Sequence, residues 1–141
     1  MISKIGPHLG SFGDLMRYIP ECEGQVVQMF TSVPLSLKKP ERWRLERLLD
    51  LATKKKVKVL FHGPMTTNFV RRENQDTVNA TVEYVQGLSE VLQGRRIVFH
   101  TGKPEKDGVF EEQFAFMRSV LQRCVPFLEA SKNMVCLEPV S

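Results

Sequence analysis

The sequence feature that most constrains the fold is a short motif that occurs twice in the chain. VKVLFHG begins at residue 57, RRIVFHTG begins at residue 95, and each contains a short apolar run that ends in histidine. Runs of β-branched and aromatic residues that end near a turn residue predict strands, and five such runs occur. Because they are almost continuously apolar, we expect strands covered on both faces, as in a parallel sheet. The predicted strands span residues 2–6, 26–31, 57–62, 96–100 and 134–138.

Segments in which apolar residues recur every three or four positions separate these strands. They predict helices over residues 11–19, 40–55, 74–92 and 109–128, with Pro40 as the first residue of the second helix. The alternation of strands and helices predicts an α/β fold with right-handed crossovers. A closed (β/α)8 TIM barrel typically needs about 250 residues. The 141 residues therefore predict one truncated domain, a partial (β/α)8 TIM barrel of about five parallel strands with four intervening helices.

His62, His100 and Glu138 each end one of the apolar runs, and 38 residues separate each from the next. Equal spacing predicts matching heights at the carboxyl edge of the sheet, where parallel α/β folds place their sites. Two histidines and a glutamate with an open fourth position are a familiar arrangement for catalytic zinc. A bound ion would lower the pKa of a water molecule and polarise a phosphoryl oxygen. The alternative, in which each histidine only makes hydrogen bonds at its strand end, stays open on spacing alone.

Five phrases occur in a fixed order along the chain: KIGPHLGSFGDL, QVVQMFTSVP, VLFHGPMTTNF, IVFHTG and VCLEPVS. Together they resemble the first five strands of the endonuclease IV family of apurinic/apyrimidinic endonucleases, which are xylose-isomerase-like TIM barrels. The resemblance covers the whole chain but only the N-terminal half of the family's barrel. Two phrases depart from the family pattern, since Gly63, Pro64 and Met65 follow the third strand, and Pro139 and Val140 follow the fifth.

The resemblance implies a zinc-dependent hydrolase that cleaves the DNA phosphodiester 5′ to an abasic site in base excision repair. It implies that His62, His100 and Glu138 bind the first of three zinc ions, and that Glu138 is catalytic and bridges to a second ion. His8 matches a pocket histidine. Ligands that complete the other two sites come from later strands of the family's barrel. The resemblance therefore implies that these residues alone form a weak or inactive nuclease.

Basic side chains cluster in the loops that follow the predicted strands, and the chain carries a formal charge of +4. Loops at the carboxyl edge of the sheet would face DNA, so we expect these cations to contact phosphates. Met65 stands where the family has an aromatic wedge, and Asn68 follows in the same loop. The expected contacts to abasic DNA are Lys38, Lys39, Arg42, Met65, Asn68, Arg71, Arg72, Lys103 and Lys106.

Two other classes of function stay open. One is a xylose-isomerase-like sugar isomerase, and the other is a non-catalytic half-barrel that binds DNA, a second chain or another copy of itself. The second reading expects an exposed inner face built from Val59, Phe61, Val98 and Val135.

The composition, 42% hydrophobic and 26% charged, excludes a disordered or collagen-like chain. The three cysteines form no CxxC pair, so they predict packing roles and a reducing, intracellular location, with no preference between cytoplasm and nucleus. No apolar run approaches the ~20 residues of a membrane span, and we expect no membrane partner.

Overall fold

A five-stranded parallel sheet organises the computed structural model, which describes the backbone of residues 8–9 and all of residues 12–140. The strands are β1 (His8–Leu9), β2 (Val26–Phe30), β3 (Lys58–His62), β4 (Arg96–His100) and β5 (Met134–Glu138). Their order in the sheet follows the sequence, and every neighbouring pair is parallel. The predicted α/β class with a parallel sheet is confirmed. The strand predicted at residues 2–6 lies outside the described residues.

Four helices connect the strands, as predicted, although their ends differ. They are α1 (Phe12–Tyr18), α2 (Arg42–Lys54), α3 (Gln75–Ser89) and α4 (Phe110–Ser131), and a 3-10 turn over Ile19–Cys22 follows α1. The prediction that Pro40 opens α2 is wrong, because Glu41, at the N-cap position, is still extended and the helix begins at Arg42. The predicted start of α3 is correct, since the Asn74 side chain accepts a hydrogen bond from the Thr77 N–H. The end of α4 lies three residues beyond its predicted position, and Lys132 closes it in the left-handed conformation.

The hydrophobic core lies between one face of the sheet and the helices. Val27, Phe61 and Phe99, from three neighbouring strands, are buried completely. All four helices contribute to the same cluster, for example through Leu15, Leu48, Val82 and Val120. Because side chains alternate along a strand, the residues between these buried positions point to the other face.

That other face contains half-buried side chains, namely Gln28, Leu60, Val98 and Cys136. The expectation of strands covered on both faces is therefore wrong for the described residues. The predicted inner face is also wrong for Val59, Phe61 and Val135, which lie on the helix side. Of the four residues predicted there, only Val98 belongs to this open face. The error concerns which alternate residues of each strand face the helices, and the apolar character of the strands does not reveal this.

The three cysteines are free thiols. Cys22 and Cys124 are buried in the core, and Cys136 is half-buried on the open face. Burial raises the pKa of Cys124 to about 11, so this thiol stays protonated near neutral pH. None of the helices in the described residues is both long and apolar enough to span a membrane.

Candidate metal centre

Strand register decides how the three predicted ligands meet. His100 lies opposite Glu138 in the β4–β5 pair, whereas His62 lies opposite Val98 in the β3–β4 pair. The expectation of matching heights is therefore met by two of the three residues, and His62 is two positions lower on the sheet. Two residues of a strand rise about 6.6 Å, and neighbouring strands are about 4.8 Å apart. The three side chains share one face, and their length is sufficient to bridge this offset.

The side chains of His62, His100 and Glu138 converge on one point. Glu138 Oε2 is 3.3 Å from His62 Nε2 and 3.2 Å from His100 Nε2. The two imidazole rings lie edge to face, with their centroids 5.0 Å apart. One ligand atom from each residue lies within 4.8 Å of the others, so the three could hold a metal ion. We refer to these three residues as the metal group.

Two of the three spacings among these atoms match those of ligands around a small divalent ion. Ligand atoms about 2.1 Å from a tetrahedral zinc ion are about 3.4 Å from each other. The two distances between the glutamate oxygen and the histidine nitrogens, 3.3 and 3.2 Å, are close to that value. Imidazole nitrogen with carboxylate oxygen suits zinc and other first-row transition ions.

Contacts at both ring nitrogens fix the orientation of His62. Its Nδ1 is 2.6 Å from the carbonyl oxygen of Gly63, which can only accept, so Nδ1 carries the proton. In the neutral ring the lone pair is then on Nε2, the atom that faces Glu138. A histidine that donates its second ring N–H to a carbonyl is the usual arrangement behind a metal ligand. The backbone holds His62 as well, because its own carbonyl accepts the Thr31 N–H at 2.9 Å.

Contacts from the chain segment after β3 hold His100. The Thr67 hydroxyl, which is buried, donates to the His100 carbonyl oxygen at 2.9 Å. The Phe69 N–H donates to Thr101, the residue after His100, also at 2.9 Å. The exposed fractions of the three side chains differ: 6% for His62, 16% for His100 and 54% for Glu138. The metal group is therefore buried on its histidine side and open to solvent on its glutamate side.

The loop after β3 contains two predicted DNA contacts, and they differ in availability. Asn68 Oδ1 accepts from the backbone N–H groups of Val70 and Arg71, at 3.0 and 2.8 Å. The Asn68 side chain also packs on Gly102, where an added Cβ would lie 2.5 Å from it. Its oxygen therefore serves the loop itself. The Met65 side chain is half exposed, so it can contact a partner. Its backbone N–H donates to the Pro34 carbonyl.

Four of the seven predicted phosphate-binding cations contact other parts of the protein. Lys39 Nζ lies 2.5 Å from Glu90 Oε2 and lowers the pKa of that carboxyl, and Arg42 donates to the Glu90 carbonyl at the end of α3. Arg71 donates to the Pro104 carbonyl, and Arg72 lies 3.9 Å from Glu112. The remaining three are exposed and make no ion pair with the described part of the chain: Lys38, Lys103 and Lys106.

His8 was predicted as a pocket histidine from the resemblance. Its backbone pairs with Gln28 in β2, and its side chain is outside the part of the chain that the structure describes. Sequence reasoning missed the residues behind the ligands, notably Gly63 and Thr67. The HGP phrase and the paired threonines of MTTNF were the visible signs, but neither carries a specific pattern.

A cleft of about 440 Å³ lies at the carboxyl end of β2, beside the metal group. Phe30 lines it and also packs edge to face on the His62 ring, at 5.1 Å between centroids. Its wall combines apolar, hydroxyl, cationic and acidic side chains, including Met29, Ser32, Lys38 and Glu41, and Glu41 is paired with Arg44.

Comparison of the chain with protein-family models and with curated proteins finds no match. The fold and the site together define the class: a parallel α/β sheet in sequential strand order, with a two-histidine, one-glutamate group at the ends of three consecutive strands.

Proposed function

We propose that this chain forms the part of a (β/α) barrel that carries the first zinc site of an apurinic/apyrimidinic endonuclease of the endonuclease IV type. The observation that carries the proposal is the convergence of His62, His100 and Glu138. They end three consecutive strands, and the resemblance gives these same positions to the ligands of that zinc ion.

The sheet supports the barrel part of the proposal. Its strands follow one another in sequence order, and residues from all four helices pack on the same face. Right-handed crossovers between sequential parallel strands place every helix on one side, as in a (β/α)8 barrel. A doubly wound sheet reverses its strand order and has helices on both faces. The open face would then be a section of the barrel interior.

In this proposal Nε2 of both histidines and a carboxylate oxygen of Glu138 hold the zinc ion. A bound zinc ion would supply Lewis acid chemistry, which lowers the pKa of water and polarises a phosphoryl oxygen. The chain's own residues orient and admit the substrate. The buried His62 and the partly buried His100 fix the position of the site, and the exposed Glu138 would face the phosphodiester.

DNA is the proposed substrate because exposed cations flank the metal group. Lys103 and Lys106 lie in the loop after His100, and Lys38 lines the cleft beside His62. Cations at such positions attract the phosphate backbone without reading its sequence. The apolar wall of the cleft, with Phe30, suits the sugar or base of a displaced nucleotide.

The test has two stages. Equilibrium dialysis of the purified chain against Zn²⁺ is expected to give one tightly held ion, which Glu138→Ala loses. A competition assay then compares a duplex that carries one abasic-site analogue with the same duplex without it. We expect a zinc-dependent preference for the abasic duplex. Equal binding of both duplexes by the zinc-loaded chain would overturn the DNA function and leave the metal site intact. Aldose–ketose interconversion by the loaded chain would favour the sugar isomerase.

A further inference from the structure

The hydroxyl groups of Thr31 and Ser32, which follow β2, meet the hydroxyl group of Tyr84 from α3. Tyr84 reaches from the middle of α3 and is 2% exposed. Its Oη lies 2.6 Å from Thr31 Oγ1 and 2.8 Å from Ser32 Oγ, in the two residues that follow β2. These contacts tie the carboxyl end of β2 to a helix more than fifty residues further along the chain.

One arrangement of the hydroxyl protons uses both short contacts of Tyr84. Tyr84 donates its proton to Ser32, so the short contact between Tyr84 and Thr31 uses the proton of Thr31. Ser32 in turn donates to the carbonyl oxygen of Ser36 at 3.4 Å. The Thr31 hydroxyl also lies 3.4 Å from the His62 carbonyl oxygen, which is as long as the contact between Ser32 and Ser36 and longer than the one to Tyr84. The result is a directed chain from Thr31 through Tyr84 and Ser32 to Ser36.

The hydroxyl chain stays intact at the pH of any metal-binding experiment. Burial is the main cause that raises the pKa of Tyr84, and the hydrogen bonds from Ser32 and Thr31 only partly offset it. Tyr84 therefore remains a protonated donor. Removal of its hydroxyl would leave Thr31, which is 4% exposed, with a buried proton and only a long contact to give it to.

Two connections join the hydroxyl groups of Thr31, Ser32 and Tyr84 to His62. The backbone N–H of Thr31 donates to the His62 carbonyl oxygen at 2.9 Å, and Phe30, one residue earlier, packs on the His62 ring. On the other side, Tyr84 packs edge to face on Phe99. Phe99 in turn lies against Gly63, whose carbonyl accepts the His62 ring proton.

We propose that Tyr84 is a positioning residue for the metal group. Through Thr31 and Ser32 it fixes the end of β2, and the end of β2 fixes the backbone and ring of His62. The inference rests on the proposed metal site and adds to it a residue that touches neither the ion nor the substrate. Outer groups that orient a metal ligand typically contribute 10- to 100-fold to metal affinity.

The test is a Co²⁺ titration of the full chain, followed by the visible absorption of the bound ion, at a temperature where every variant is folded. Tyr84→Phe is expected to bind Co²⁺ about tenfold more weakly and with a changed band pattern. Ser89→Ala is the matched control, because Ser89 is a buried hydroxyl on the same helix that donates to Val85 within that helix. Its Co²⁺ affinity and spectrum are expected to equal those of the parent chain.

Variants of Thr31 separate positioning from a general loss of stability. Thr31→Val keeps the backbone N–H but removes the hydroxyl, and it is expected to weaken Co²⁺ binding as Tyr84→Phe does. Thr31→Ser is expected to restore the binding. The double variant Tyr84→Phe, Thr31→Val is expected to be no weaker than either single one, because both break the same chain.

The outcomes distinguish this inference from the proposed function. If Tyr84→Phe binds Co²⁺ with the parent affinity and spectrum, the inference is overturned and the metal site stands. An equal loss in Ser89→Ala also overturns it, since the effect would then follow from stability alone. A parent chain that binds no Co²⁺ overturns the metal site, and the inference with it.

Discussion

His62 and His100 end two strands of nearly the same sequence, yet the protein holds them differently. His62 is fixed by its own neighbours along β2 and β3, through the carbonyl of Gly63 and the backbone N–H of Thr31. His100 depends on a loop, because the hydroxyl of Thr67 binds its carbonyl, and its ring contacts Glu138. The repeated sequence motif thus gives a candidate metal ligand twice, but different contacts hold the two histidines. We expect the two histidines to respond differently to changes around them.

The largest effect is expected from loss of either ligand. His62→Ala and His100→Ala should each weaken Zn²⁺ binding by about 100- to 1,000-fold, since zinc affinity in proteins is shared among a few ligands. His62→Ala should also lower the free energy of unfolding by about 2 kcal/mol, because it leaves a buried cavity and an unsatisfied Gly63 carbonyl. His100→Ala should cost less. Zinc calorimetry and urea denaturation of the apo-proteins measure both terms. Retained zinc affinity in either variant would exclude that histidine as a ligand.

The next largest effect concerns the glycines that follow the two histidines. An added Cβ at Gly63 would lie 2.3 Å from two ring atoms of Phe99. At Gly102, where φ is +88°, it would meet both the side chain and the Cα of Asn68. Gly63→Ala should destabilise the fold by about 2 kcal/mol through overpacking, and Gly102→Ala should do so by at least as much.

The effects of these two substitutions on zinc affinity should rank in the opposite order to their effects on stability. Gly63→Ala displaces the carbonyl that orients His62, so we expect a loss of about tenfold in zinc affinity. Gly102→Ala displaces the Asn68 loop, and we expect a smaller loss. Comparison of the two affinities at equal folded fraction checks the ranking. A greater loss of zinc affinity in Gly102→Ala would mean that the loop, and not the Gly63 carbonyl, controls the site.

A smaller effect is expected from the hydroxyl that supports His100. Thr67→Val removes the hydrogen bond to the His100 carbonyl and leaves a buried acceptor, which should cost about 1 kcal/mol of stability. Zinc affinity should fall only a few-fold, because Glu138 still contacts the ring. The neighbouring Thr66 is exposed, so Thr66→Val is the matched control and should change neither quantity. A large loss of zinc affinity in Thr67→Val would make the two supports equivalent.

The order of strands and helices could be predicted because it depends on local patterns. The apolar runs that end in His62 and His100 are visible in the sequence, and so is the alternation with helices. The approach of Glu138 to both histidines could also be predicted, since equally spaced strand ends in a parallel sheet meet at one edge. These features need no knowledge of which residues pair across strands.

The relative heights of the three candidate ligands on the sheet, and the contacts that hold the two histidines, could not be predicted. Both depend on pairing between distant segments of the sequence. The register that sets His62 opposite Val98 is a property of two strands together. The same holds for the open face, where Val98 lies but Phe61 does not. Tyr84 had no predicted role, and only its contacts with Thr31 and Ser32 give it one.

The smallest expected effect is on the salt dependence of DNA affinity. It compares the basic residues of the two loops that follow the two histidines. In the loop after β3, Arg71 donates to the Pro104 carbonyl and lies 3.4 Å from Glu73. In the loop after β4, Lys103 is exposed. If DNA binds at this edge of the sheet, Lys103→Ala should reduce the slope of log affinity against log salt by about 0.9, the value for one phosphate contact. Arg71→Ala should change the slope less, because the charge of Arg71 is already partly compensated.

The matched control is Lys54→Ala. Lys54 is an exposed cation at the end of α2, and its loss should leave the slope unchanged. Fluorescence anisotropy of a labelled abasic duplex at several salt concentrations measures all three. A larger change with Arg71→Ala than with Lys103→Ala would show that the arginine leaves its intramolecular contacts to bind DNA, and the difference between the two loops would then disappear in the complex.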